Sequence, residues 1–227
     1  MDELVFWLNV IAVPGVLLTG AILTLTVDWR VSFAALALQY LLAAVLLTQT
    51  VGGPVALAQA GAGLIVVVIL YLTGRQVDFA RVARARRDAR EAARGPLLRP
   101  AAFRERFAQL RQIEFATNLP FRAVAVLLAA AVAGYLVSEQ GVQFPGVPLS
   151  LTFSGGLLVA LGLLSLGLTE EPMNAGMALL MALSGFELIY FSLERAAAVV
   201  VLLAGLSFAL AIAAGYLALL RYAAEPD

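Results

Sequence analysis

Apolar residues run through this chain in long unbroken blocks separated by short polar breaks. Seven stretches, at about 4–26, 31–50, 55–74, 121–137, 150–169, 173–193 and 196–222, come near the roughly 20 residues that an α-helix needs to cross about 30 Å of hydrocarbon. Runs such as Leu64-Ile65-Val66-Val67-Val68-Ile69-Leu70 show none of the apolar/polar alternation of a membrane barrel strand. The pattern therefore predicts an all-α polytopic transmembrane helix bundle of about seven helices.

The breaks agree with this division. Asn118-Leu119-Pro120 reads as an N-cap followed by proline in a first helical turn, opening the fourth span. Gly141 to Ser150 holds the prolines and glycines of an exposed loop. The first block has Asp2 and Glu3 where a secretory leader carries basic residues, and it offers no convincing cleavage site, so it is expected to remain as a helix.

Composition strengthens the membrane reading: of 227 residues 62% are hydrophobic and 13% charged, whereas soluble domains carry about a quarter charged residues. The charges are also unevenly placed. All 15 basic residues are arginine, and most lie between Arg75 and Arg122, where they outnumber the acids Asp78, Asp88, Glu91, Glu105 and Glu114. Short basic loops stay in the cytoplasm during insertion. The predicted topology has the amino terminus outside, with the carboxyl terminus and the arginine-rich link cytoplasmic, as for a bacterial-type inner membrane.

Three parts follow: an amino-terminal three-helix group over 1–74, the link over 75–120, and a carboxyl-terminal four-helix group over 121–227. Within the link, Phe103, Phe107, Leu110 and Ile113 recur at helical spacing among Arg104, Arg106 and Arg111, the pattern of an amphipathic helix at a membrane surface. These arginines either rest on anionic lipid head groups and set topology, or dock a cytosolic protein. Nucleic acid is not an expected partner, since the net charge is +0 and no recognition module is present.

The chain has no cysteine and no histidine, which removes thiolate chemistry, disulfides, His-ligated haem and most transition-metal sites. It also lacks a phosphate-binding GxxxxGK[ST] loop and an HExxH zinc motif. No enzyme active site, metal or cofactor is expected.

One ionisable residue lies deep inside a predicted span. Glu187 falls well within the sixth stretch, near the middle of the membrane by residue count. A charged acidic side chain at a helix centre costs about 2.5 kcal/mol or more on insertion scales, so Glu187 must be neutral, paired or in contact with water. A carboxyl group there can act as a proton relay, or it can stay protonated and bond a neighbouring helix. Ser184 and Tyr190 share its helical face. Gln39 and Gln59 are polar at depth in the second and third spans, and either extend a polar path or join helices by hydrogen bonds.

From Leu157 to Leu220 the order of features resembles the K subunit of respiratory complex I. An apolar Gly/Leu-rich helix (Leu157 to Leu168) is followed by a polar turn (Thr169 to Asn174), a helix with Gly185-Phe186-Glu187, and a last helix, Ala196 to Arg221, ending in a basic residue. The K-subunit-like unit spans about 150–222. Asp28-Trp29-Arg30-Val31-Ser32, leading into Gln39, is similar to the longer E component of membrane-bound formate-hydrogenlyase hydrogenases. The C subunit of multisubunit sodium/proton antiporters has the same three-helix unit. The resemblance implies a non-catalytic membrane subunit among larger antiporter-like subunits, with Glu187 as the proton-relay glutamate. The chain departs from that pattern at Glu170-Glu171-Pro172, where the family turn is basic, and at Ala211, where the family has a second intramembrane glutamate. The alternative is a structural or docking membrane protein whose arginine-rich link recruits a partner.

Overall fold

The computed structural model describes the backbone of residues 2–26, 28–94, 101–138, 144–194 and 196–224, and side chains over 10–26, 28–77, 119–138, 144–194 and 196–221. It is all-helical, with seven helices among the described residues: α1 (Asp2–Leu25), α2 (Trp29–Leu47), α3 (Gly53–Arg94), α4 (Ala101–Ser138), α5 (Leu149–Gly167), α6 (Pro172–Leu193) and α7 (Ala197–Ala224). Six contain a stretch long and apolar enough to cross a bilayer, the arrangement of a multi-pass membrane protein. In α1 the described side chains begin at Val10, and Val10–Leu25 is apolar but shorter than the other spans.

Local chemistry explains several helix ends. The Asp28 carboxylate caps α2 by accepting from the Arg30 backbone N–H at 3.0 Å. Pro172 stands in the first turn of α6, where its missing N–H leaves no intrahelical bond unmade. The turn before α5 passes through Gly146 at φ 81°, a left-handed conformation that glycine adopts without strain. Glu194 ends α6 with extended backbone and accepts from the Ala196 N–H at 3.0 Å, leading into α7.

Two helices run further than the hydrophobic pattern indicates. α3 continues as one element past its apolar part, Gly53–Val77, to Arg94. α4 begins at Ala101 and carries Pro120 inside it, so Asn118-Leu119-Pro120 is not a helix start. Proline keeps a helical φ and forfeits a single backbone bond, so an N-cap-like tripeptide alone does not distinguish a start from a helix interior. The stretch holding Arg104, Arg106 and Arg111 is helical in its backbone as part of α4. Its side chains, and the amphipathic face expected of them, lie outside the described residues.

The amino- and carboxyl-terminal groups pack across one another, with α1 against α5, α2 against α6 and α3 against α7. The most extensive interface is α5 with α6. Glycine makes it possible: a Cβ on Gly185 would lie 2.5 Å from the Gly155 carbonyl oxygen, and one on Gly162 would lie 2.6 Å from the Ala182 nitrogen. Helices in lipid gain little from hiding apolar surface, so close backbone approach of this kind supplies much of their attraction.

One end of the bundle is tied by arginine. Arg122 on α4 donates to the Leu168 carbonyl at 2.9 Å and the Thr24 carbonyl at 3.4 Å, at the carboxyl ends of α5 and α1. Arg221 on α7 donates to the Glu170 carbonyl at 2.5 Å in the turn before α6. Cations are favourable at helix carboxyl ends, where carbonyls lack intrahelical donors.

Candidate polar site around Glu187

Glu187 faces the inside of the bundle and is 1% exposed. It lies six residues before Leu193 and fifteen after Pro172, or about 9 Å and 22 Å from the two ends of α6 at 1.5 Å per residue. The carboxyl group is therefore displaced toward the Leu193 end rather than centred. The span expected at 173–193 has the same far end at Leu193, so the residue count carries the same offset.

Four helices, α2, α3, α6 and α7, enclose it, each packed on two of the others. From α3 the side-chain amide of Gln59, itself buried, donates to Glu187 Oε2. From α7 the buried Ser207 hydroxyl donates to Oε1 at 3.3 Å. Both carboxyl oxygens thus have a partner, each from a different helix. Among the described residues no arginine pairs with Glu187, and no group of acidic residues is placed to hold a metal ion.

Tyr40 supplies the α2 wall. Its ring lies flat against α3 at Gly63, where an added Cβ would meet the ring at 2.2 Å, so glycine is required there. Gly63 is one turn beyond Gln59 on the same face of α3. The seated ring brings the Tyr40 hydroxyl, buried, beside Ser207 and Glu187.

The residues picked from sequence fall in four groups. Gln59 bonds Glu187 directly. Gln39 and Ser184 are buried on α2 and α6, and the amide of the first and the hydroxyl of the second have no hydrogen-bond partner. Tyr190 does not join the cluster: it is half-buried and stacks on the exposed Phe186 ring at 5.3 Å. Positions 186 and 190 are four apart and share a helix face turned from that of Glu187. Arg104, Arg106 and Arg111 have side chains outside the described residues.

Tyr40 and Ser207 were not distinguished in the sequence, whereas Gly63 belongs to Gly61-Ala62-Gly63, a run of small residues that permits close helix approach. Ser207 is a hydroxyl in an otherwise apolar helix, and that oddity is its one signal. Ala211, where the family resemblance would put a second glutamate, is fully buried one turn beyond Ser207.

No family model, curated protein or solved structure matches this chain. The site itself offers a carboxyl group held by neutral donors inside a membrane-type bundle, a group that can hold or release a proton.

Proposed function

We propose that this chain is a non-catalytic membrane subunit of an ion-translocating assembly, of the complex I-related or cation/proton antiporter kind, in which Glu187 carries protons. The observation that supports this is the buried carboxyl group with one neutral donor on each oxygen and no cation beside it. A purely structural link between helices is served as well by an amide; a carboxyl group adds the ability to release a proton. Because α7 offers no second acid, the proton passes to or from water or a carboxylate of a partner subunit.

The proposed setting is a bacterial-type inner membrane with the Pro172 end of α6 cytoplasmic and larger antiporter-like subunits around the bundle. Arg30, Arg75, Arg122 and Arg221 all stand at that end, the distribution of cytoplasmic-facing helix ends. Trp29, Phe33 and Tyr71 cluster there too, with Trp29 and Phe33 centroids 5.6 Å apart, as interfacial aromatics do.

The deciding experiment is proton pumping in vesicles holding equal amounts of assembled complex with wild-type or Glu187→Gln protein. The relay reading requires assembly to persist and pumping to fall. Unchanged pumping in the Gln variant rejects it.

A second reading, recruitment of a cytosolic protein by the arginine-rich link, draws support from α3, which continues from Val77 to Arg94, about 25 Å of helix at 1.5 Å per residue. Deleting that extension and assaying co-purification of cytosolic chains tests it.

A further inference from the structure

Several buried hydroxyls in this bundle bond the carbonyl one turn back, next to them in the chain. Thr19 does so to Gly15 at 3.0 Å, Thr24 to Gly20 at 2.9 Å, Ser32 to Asp28 at 3.1 Å and Ser192 to Leu188 at 3.0 Å. Ser207 on α7 is buried too, yet its hydroxyl leaves its own helix and donates to Glu187 Oε1 at 3.3 Å. The Tyr40 hydroxyl, on α2, stands beside the same two groups. Its place is fixed by the ring, which lies on α3 where Gly63 has no Cβ to exclude it. Two hydroxyls from different helices thus converge on one oxygen of a buried carboxyl group.

The two oxygens of Glu187 therefore meet different chemistry. Oε2 accepts from the Gln59 amide N–H, a group that only donates, so the acid proton has no place there while that bond holds. Oε1 meets hydroxyls, which donate or accept according to how they are turned. The neutral acid carries its proton on Oε1 and offers it to a hydroxyl oxygen; the carboxylate is served by the same hydroxyls turned round to donate. With Gln59 it then has three donors, from α2, α3 and α7, and two or three hydrogen bonds favour the charged form of a carboxyl group. Among the described residues no other ionisable group stands near on the surrounding helices. Those of α1 and α5 are absent, Arg30, Arg75, Arg221, Tyr71 and Tyr216 lie toward the Pro172 end, and Tyr190 is turned away. Glu194 lies past Leu193, about 10 Å along the helix axis.

We infer that Ser207 and Tyr40 are positioning residues for proton release: a hydroxyl pair that keeps the proton of Glu187 on Oε1 and turns to hold the carboxylate once the proton has left. Neither hydroxyl gives up its own hydrogen. Each rotates about its C–O bond, while the proton of Glu187 passes to the water or partner carboxylate of the proposed function. Hydrogen bonds to an ionised group are roughly twice as strong as those between neutral groups. The pair therefore stabilises the carboxylate more than the acid, and eases release where no cation is at hand. Gly63 belongs to the device, because the Tyr40 hydroxyl reaches the site only with its ring on α3. The inference rests on the proposed role of Glu187 as a proton carrier.

The test is a pH titration of the Glu187 carboxyl, followed by its infrared C=O band in full-length protein in vesicles. The band is assigned by its loss in Glu187→Gln. Tyr40→Phe, which keeps the ring on Gly63, and Ser207→Ala should each move the midpoint upward by about one pH unit, a tenfold tighter hold on the proton. Ser207→Thr retains a hydroxyl and should return the midpoint toward the wild-type value. The control is Ser154→Ala on α5, another buried hydroxyl, which should leave the midpoint unchanged. A merely structural role predicts weaker resistance to unfolding with no movement of the midpoint. A wild-type midpoint in either Tyr40→Phe or Ser207→Ala, or an equal shift in Ser154→Ala, overturns the hydroxyl pair. Failure of the pair leaves pumping sensitive to Glu187→Gln, whereas failure of the relay reading leaves Glu187→Gln pumping at the wild-type rate, so the two are told apart.

Discussion

The Gln59 amide and the Glu187 carboxyl, 128 residues apart in the chain, meet inside the bundle and join α3 to α6. Removing either partner strands the other. Gln59→Leu and Glu187→Ala should each destabilise the protein by about 1–3 kcal/mol, the penalty of a buried polar group left unpaired. Glu187→Gln, which retains a hydrogen-bonding end, should lose less. Denaturant unfolding in mixed micelles provides the comparison, and equal losses for the Ala and Gln variants would contradict the bonding described.

Gly63→Ala should be destabilising by about 1–3 kcal/mol, since the new methyl overlaps the Tyr40 ring and one of the two helices must shift. The effect is specific to that pair. In a Tyr40→Ala background the same substitution should have little consequence, giving a large interaction term in a double-mutant cycle. Additive losses would show that the clash lies elsewhere.

Arg122→Ala releases the carbonyls of Thr24 and Leu168 at the ends of α1 and α5. Because the guanidinium is only part-buried, the expected loss is about 1 kcal/mol, below the range for buried charge-assisted bonds. Arg122→Lys should recover part of it, as an ammonium lacks the planar fork that reaches two carbonyls. Thermal unfolding of the three proteins at matched detergent concentration reads the order, and a lysine variant as weak as alanine would show that the second bond is required.

The chain has no cysteine of its own, so single cysteines report sidedness without background. With the proposed orientation, Gln76→Cys and Glu170→Cys should react with an impermeant maleimide only in inverted membranes, and Phe144→Cys only from the outer face. Reaction of Gln76→Cys from outside would reverse the topology and, with it, the direction of any proton path.

Much of the architecture was legible before any coordinates. The sixth stretch, expected at 173–193, is the helix Pro172–Leu193, and the fifth, expected at 150–169, is Leu149–Gly167. Both are bounded by strong local signals, Pro172 at one and the Pro-Gly turn at the other. The third and fourth helices outran their apolar blocks because helical backbone continues into arginine- and alanine-rich sequence that is polar yet helix-favouring. Hydropathy marks where a span can lie in lipid, and a helix need not stop there.

What the sequence determined by itself was the set of spans and the one carboxyl group set deep within them, because both are properties of a local window measured against the thickness of a bilayer. The tertiary structure decided which side chains meet that carboxyl group. A membrane helix is apolar around its whole circumference, so its inward face leaves no periodic mark in the sequence. Gln59 and Gln39 looked alike, yet one bonds Glu187 and the other is buried without a protein partner. Tyr40 reaches the site because Gly63 lets its ring lie on α3, and Ser207 because α7 packs against both α3 and α6. Those contacts depend on backbones approaching closely enough for side chains to interlock, and a distance of that kind is set by all the helices together.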